Sequence, residues 1–413
     1  MRFSAVLAAI ALLAAACGGG ASSSPQSPSS TRPAPSRAPS SSSPKPASGL
    51  SVPAGFRIEI VGNVGGAREL AAAPNGDLFV GTGGSNVYVI ANAEGQAASP
   101  SVFAQLPDTP AAGVALALSG SSGTLYVGTQ FGVYRIPYTV GDRKARSAPA
   151  KIASVRAANG GGHNTTSVAF ANGVLYASVG SSCNACKESD PTRATIQQMR
   201  PDGSAMTAKA VRIRNAIALT VNPATQTVWA GDAGQDSLPN GHPYEFFDAV
   251  TLHSGVADYG WPDCEENRQA YTQGADCSAT VVPRVVFPAY ETPVGAAFYP
   301  VNQSGAYAFP ASYRGGAFVA MHGAWHTGSD GKYLSPPHVA FVPMNGDAPR
   351  TAVNWSDPTA QWSDFISGFQ LPDGTTRIGR PTGVAVGASG SLFVADDQTG
   401  AIYRITPTAS KRR

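Results

Sequence analysis

Four side chains in this sequence have types suited to chemistry. His163, in Gly161-Gly162-His163-Asn164-Thr165-Thr166, is one of only six histidines in 413 residues. A neutral imidazole near its ordinary pKa is the side chain best suited to take a proton at neutral pH. Arg214-Asn215 and Arg380 are donors suited to an anionic, planar, oxygen-rich ligand. The segment Gly231-Asp232-Ala233-Gly234-Gln235-Asp236 offers hard oxygens, as carboxylates or freed carbonyls, of the kind that hold Ca²⁺. Taken singly, each has an ordinary explanation. Strand-end histidines are commonly solvated, loop arginines are commonly surface charge, and turns are made of Asp and Gly. The question is whether the fold gathers them.

A repeat answers that question. A turn followed by an apolar run returns as NGDLFVGT (Asn75 to Thr82), SGTLYVGT (Ser122 to Thr129), NGVLYASV (Asn172 to Val179), TQTVWAGD (Thr225 to Asp232), RGGAFVAM (Arg314 to Met321) and SLFVAD (Ser391 to Asp396). The first core residues, Leu78, Leu125, Leu175, Val228, Phe318 and Leu392, are separated by 47, 50, 53, 90 and 74 residues. The shorter intervals have the length of a four-stranded propeller blade, and the longer ones hold a blade with insertions. A short strand precedes each copy, as at Ser167–Phe170 and Gly383–Val386, and no amphipathic helix intervenes. The chain therefore reads as an all-β, six-bladed β-propeller, with Phe56–Ile60 as the strand that closes the ring onto the last blade. Two β-sandwiches would need a central linker, which the sequence lacks.

In such a ring the leading ends of the innermost strands meet at one mouth. His163 lies 12 residues before Leu175, Arg380 lies 12 before Leu392, and Arg214 and Asn215 lie 14 and 13 before Val228. Arg68, 10 before Leu78, falls near the same level. Matched positions in three blades make one concave site out of distant residues.

The termini read differently. Met1-Arg2 and the apolar run to Ala16 have the form of an export signal, too short to span a bilayer. Leu13-Ala14-Ala15-Ala16-Cys17 resembles a lipoprotein signal, so residues 1–16 are expected to be removed and Cys17 lipidated, anchoring the protein to a membrane outside the cytoplasm. Residues 17–48 are rich in Ser, Pro and Ala and form a disordered tether, because nothing there can repay chain entropy by burial. The propeller is expected over 49–407, with a basic tail at 408–413. A net charge of +3 from 29 basic and 26 acidic residues shows no basic patch that would argue for nucleic acid. In an exported chain, Cys183, Cys186, Cys264 and Cys277 suggest disulfides, with the local pairs Cys183–Cys186 and Cys264–Cys277 favoured.

The order GGHN, Gly-Ser-Ser-Cys-Asn-Ala-Cys, RPDGS, RIRNAIAL, Tyr259-Gly260-Trp261-Pro262, MHGAWH and GRPTGVAV with SLFVADDQTGAIYRI resembles the glucose/sorbosone dehydrogenase family, and within it the sorbosone dehydrogenase-like branch, over about Val52 to Thr406. The resemblance implies a quinoprotein using pyrroloquinoline quinone (PQQ) and Ca²⁺ to oxidise a sugar or sugar-derived aldehyde or alcohol and pass electrons to an acceptor. On that likeness His163 is the base, Arg214 polarises the quinone, and Asn215 and Arg380 contact the cofactor. Gly234 and Gln235 offer carbonyls to Ca²⁺. The chain departs from the family at Arg380-Pro381-Thr382, where a second arginine is usual, so Arg377 would have to swing in. It departs again at the calcium turn, and near His322-Gly323, where family members use a lysine. These losses leave room for a non-catalytic propeller that binds carbohydrate or a protein partner. A Ca²⁺-dependent hydrolase would need carboxylates at the channel centre, where Arg and His are expected instead. His322 and His326 at i, i+4 do not share a face in a strand-and-loop region, and Trp261 and Trp325 suit either sugar stacking or blade packing.

Overall fold

The structure, a computed structural model, describes residues 45–156, 161–238 and 241–408. The signal, Cys17, nearly all of the tether and the tail from 409 on lie outside the described residues.

Six four-stranded antiparallel sheets follow one another along the chain. Blade 1 comprises Ala67–Ala72, Leu78–Thr82, Asn86–Ile90 and Ser101–Gln105. Blade 2 comprises Gly113–Ser119, Ser122–Thr129, Gly132–Thr139 and Ala150–Ser154, and blade 3 Thr166–Ala171, Val174–Val179, Thr195–Met199 and Thr207–Val211. Blade 4 is built from Ala218–Val221, Val228–Asp232, Glu245–Asp248 and Val285–Phe287, and blade 5 from Pro293–Phe298, Ala317–Met321, His338–Val342 and Ser363–Ile366. Blade 6 takes Pro381–Val386, Leu392–Asp396 and Ala401–Pro407 from the C-terminal end and Phe56–Asn63 from the other, paired from Phe56↔Pro407 to Asn63↔Ala401. The expected closing strand is present and runs three residues further. Lys45–Pro46 adds to its free edge, so ordered pairing begins upstream of the expected boundary at residue 49.

Every repeat copy is the second strand of its blade, and its apolar character has a geometric cause. Leu78–Thr82, Val228–Asp232, Ala317–Met321 and Leu392–Asp396 are buried at every position, because each blade is covered on both faces by its neighbours. Outermost strands such as Ser101–Gln105 are largely exposed. Between blades the core is aromatic: Phe79, Phe103 and Tyr138 meet edge to face at the first interface, and Trp229, Phe247 and Phe298 pack at tilted angles at the fourth. The interval from Val228 to Phe318 holds a parallel addition to blade 3 at Ala257–Asp258 and the hairpin Cys264–Glu265 with Gln269–Ala270, and that from Phe318 to Leu392 the hairpin Met344–Asn345 with Ala348–Pro349.

The six innermost strands touch in sequence and close on themselves, blade 6 against blade 1. They approach through glycine. A Cβ on Gly295 would strike the backbone of Thr382 and Gly383, and one on Gly383 the backbone of Arg68 and Glu69. Inside this ring runs an axial cavity of about 420 Å³, lined from all six blades.

Gly295→Ala is therefore expected to destabilise the chain by about 3 kcal/mol, an overpacking cost that backbone cannot relieve by rotamer change. Gly65→Ala, which meets nothing within 4 Å, should leave Tm nearly unchanged. Thermal unfolding followed by circular dichroism measures both.

Candidate active site

The approach to His163 is set by Gly162, which has φ +59° and lies so near Ser182 that a Cβ would stand 2.6 Å from its carbonyl oxygen. The glycine pair lets the loop lie flat against the chain leaving the second strand of blade 3. There the His163 N–H donates to Ser181 O (3.0 Å), and Nδ1 sits 2.8 Å from Ser181 Oγ. Ser181 Oγ is 2.7 Å from Cys183 O, a group that can only accept, so the single hydroxyl hydrogen goes there. The hydroxyl oxygen must then accept from Nδ1–H, leaving Nε2 as the proton-free nitrogen. Fully buried Arg156 secures the loop from below, donating to His163 O (3.0 Å), Thr165 O (2.6 Å) and Gln130 O (2.9 Å).

Arg214 and Asn215 stand beside it. Ser181 N–H donates to Arg214 O (2.8 Å), and Gly180 is wedged so tightly between His163 and Asn215 that a Cβ would lie 2.5 Å from His163 Cβ and 2.6 Å from Asn215 Oδ1. The buried Arg214 guanidinium donates to Asn184 O (3.0 Å) and Oδ1 (2.8 Å) and to Ala233 O (3.0 Å), and pairs with Asp236 at 3.3 Å. Asn184 lies inside the loop closed by the Cys183–Cys186 disulfide, and Trp261 Nε1 also donates to its carbonyl (3.1 Å). One covalently closed tetrapeptide thus holds the arginine through Asn184 and the imidazole through Cys183 O. The second expected disulfide, Cys264–Cys277, is also present.

These surroundings keep the imidazole neutral. Burial lowers the His163 pKa to about 4, with Arg214 adding to the effect and Arg156 and Arg193 contributing.

Below Arg214, the turn Ala233-Gly234-Gln235 is surrounded by buried carboxylates: Asp232, Glu245 and Glu265 are each at least 94% buried. Burial raises Asp232 to about 7 against the lowering effect of the Asn215 N–H and Arg214, and burial lifts Glu245 and Glu265, each of which also feels the charge of Asp232 and of a neighbouring glutamate. Gln235 Oε1 and Glu265 Oε1 are buried without a hydrogen-bond partner. Orphaned hard oxygens beside mutually repelling carboxylates are the donor set that a Ca²⁺ ion satisfies.

The opposite side of the mouth is built by blade 6. Arg380 Nε donates to His322 O (3.0 Å) and Nη2 to Gly323 O (3.1 Å). His322 Nε2 lies 3.0 Å from Asp397 Oδ1, and Arg68 Nη1 lies 3.4 Å from Asp397 Oδ2. The His322–His326 loop connects the two sides: its first carbonyls accept from Arg380, while His326 Nδ1 lies 3.8 Å from Asp236, the partner of Arg214. At the axis, a small void is lined by Arg68, Glu69, Thr165, Ile217, Val294 and Thr382, within two residues of His163, Asn215 and Arg380. The three sequence-matched positions therefore share one mouth.

Comparison with known proteins bears on this arrangement. Residues 261–408 match the family model described as TrAA12-like. Over that stretch the chain is similar to that family. The match takes in Arg377, Arg380, the His322–His326 loop and the last three strands of the ring, and leaves His163 and Arg214 outside it. Among solved structures the chain is similar to the holo form of the pyranose dehydrogenase PQQ domain from Coprinopsis cinerea, 18% identical over 88% of this chain and 98% of that one, with a TM-score of 0.71. It is similar as well to the calcium structure of the Trichoderma reesei carbohydrate-active enzyme of family AA12, 17% identical over 87% and 97% with a TM-score of 0.70. A structure described as glucose dehydrogenase follows at 16% identity over 86% and 99%, with a TM-score of 0.59. At these identities the likeness establishes the fold. An uncharacterized protein of Borreliella burgdorferi is 25% identical over 198 residues, 47% of each chain, so the match spans about half the length of that relative.

The structure departs from the sequence signals in two places. Arg377 does not turn into the mouth: its guanidinium donates to Ala324 O (2.5 Å), Ser335 O (3.1 Å) and Gln370 Oε1 (3.2 Å) and stacks 3.7 Å from the Tyr333 ring, clamping a loop. A carboxyl group does stand at the channel centre, where only Arg and His were expected. Glu69 lines both the void at the mouth and the axial cavity, accepts a hydrogen bond from Ser167, and is held well above the usual carboxylate range by burial. Trp261 is packing, 2% exposed, whereas Trp325 is 68% exposed beside His326. Sequence reasoning did not single out Ser181, Asn184 or Arg156. The first two lie in the quoted Gly-Ser-Ser-Cys-Asn-Ala-Cys stretch; Arg156 carries no local signal.

Removing the hydroxyl that fixes the tautomer tests this geometry. In Ser181→Ala, ¹⁵N-resolved NMR of the His163 ring should show a mixture of Nδ1–H and Nε2–H forms, where the parent shows Nδ1–H alone.

Proposed function

We propose that this chain is a PQQ-dependent sugar oxidoreductase, oxidising an aldose or a related aldehyde or alcohol with His163 as the general base. The observation that carries the reading is a neutral imidazole with a fixed tautomer, held beside a buried arginine at the mouth of a propeller. PQQ, when bound, supplies the hydride acceptor. Nε2 of His163 would take the hydroxyl proton of the substrate, with the imidazolium hydrogen-bonded through Nδ1 to Ser181. Arg214 and Asn215 would orient the cofactor's oxygens, and Arg214, fixed by Asn184 and Ala233, needs no reorganisation to do so. Ca²⁺ would be held at the Gly234–Gln235 turn with Asp232 and Glu265 at hand. Exposed Trp325 offers a flat apolar surface for a sugar ring. We place the protein outside the cytoplasm, anchored through lipidated Cys17 and passing electrons onward to an acceptor.

Titrating the purified chain with PQQ in the presence of Ca²⁺, and assaying reduction of an artificial electron acceptor across a sugar panel, tests the whole reading. Saturable PQQ uptake with sugar-dependent turnover is expected; glycan binding without PQQ would instead favour a non-catalytic propeller. His163→Gln should lower kcat by about 10²- to 10⁴-fold while leaving PQQ affinity within a few-fold.

The pH profile has a definite sign. The base works only without its proton, so kcat/KM should fall as pH drops through about 4, not through the ordinary histidine range near 6.5. An acid limb centred near 6.5 would overturn the lowered pKa, since it is the value of an imidazole titrating in its ordinary range.

A further inference from the structure

Resting on the cofactor reading above, we infer that Arg68, from the innermost strand of blade 1, supplies the second guanidinium that the sequence lacks at Thr382, so that Arg68 and Arg380 form a two-armed cradle for the carboxylates of an aromatic polycarboxylate such as PQQ. Nothing in the linear sequence puts these residues together, because they lie at opposite ends of the ring-forming segment. Ring closure brings blade 6 against blade 1 and makes them neighbours across a seam.

The seam explains the exchange. Thr382 is 2% exposed, and its hydroxyl donates across the seam to Ala67 O (3.1 Å) and Arg68 O (3.3 Å). The next residue, Gly383, lies where a Cβ would strike Arg68 O. An arginine in place of Thr382 would have to displace the backbone of blade 1. The short side chain admits that strand, and the strand brings Arg68 to the lining of the axial void next to Thr382.

Arg68 is also available in a way that Arg377 is not. Its side chain is 32% exposed and its ion pair with Asp397 is loose, at 3.4 Å. Asp397 has His322 Nε2 against both of its oxygens; burial raises its pKa, but the His322 hydrogen bond first and then the charges of Arg68 and Arg380 hold it below the usual value. Burial holds His322 below its ordinary pKa, so it adds no positive charge at neutral pH. Arg68 and Arg380 both face Asp397, with Asp396 also beside Arg380, so an incoming anion of fixed geometry would meet two guanidinium groups in exchange for a loose ion pair.

The test is PQQ titration of the full purified chain with Ca²⁺, followed by calorimetry and by the cofactor's absorbance. Arg68→Ala should weaken PQQ binding at least tenfold, Arg68→Lys should recover part of the loss, and Arg377→Ala should lower Tm with affinity changed no more than about threefold. Circular dichroism and Tm establish that each variant is folded. Unchanged affinity in folded Arg68→Ala, or a larger loss in Arg377→Ala than in Arg68→Ala, overturns the inference while the cofactor reading stands. A parent chain that takes up no PQQ overturns both.

Discussion

Nothing in this chain converges until residue 56 meets residue 407. The pairing of Phe56–Asn63 with Ala401–Pro407 turns a row of sheets into a ring, and only a ring has an axis on which distant strand ends can meet. It also gives each interior blade two covered faces, which lets the second strands bury every side chain. The constraint acts at short range as well. Innermost strands reach their observed spacing because glycine stands where a Cβ would collide with the next blade's backbone. Architecture and site thus share one cause.

The electrostatics of the mouth follow from that enclosure. Guanidinium groups in this interior are tolerated because backbone carbonyls take most of their donors: buried Arg156 on the His163 loop, buried Arg214 on Asn184 and Ala233, half-buried Arg380 on His322 and Gly323. Burial, with the positive field of Arg214, Arg156 and Arg193, keeps His163 uncharged. Across the blade 4 turn the same burial acts on carboxylates with the opposite sign, raising Asp232, Glu245 and Glu265. A neutral imidazole, the guanidinium groups and a cluster of buried carboxylates are therefore separated into sectors of one mouth.

Much of this was legible in the residues themselves. The repeat placed the second strand of every blade, and counting back from it placed His163, Arg214, Asn215 and Arg380 at a common level. That succeeded because blade length and strand period are local properties. The two local disulfides were legible for a similar reason, since few residues separate each pair. What stayed hidden depends on contacts between blades. Glu69 reads as one acid in an ordinary strand until the ring puts it on the axis. Arg377 reads as a spare arginine until Tyr333 and the carbonyls of Ala324 and Ser335 claim it. Arg156 has no motif, and its role exists only because the His163 loop crosses over it.

The Cys183–Cys186 bridge has a consequence for where the protein can be whole. Through Cys183 O it decides which imidazole nitrogen keeps the hydrogen, and through Asn184 it aims Arg214. With the bridge opened to two thiols, no covalent closure ties that tetrapeptide to its shape, and the proton placement of a residue twenty positions away loses its anchor. The order of the mouth is thereby tied to the oxidising power of the medium in which the chain folds.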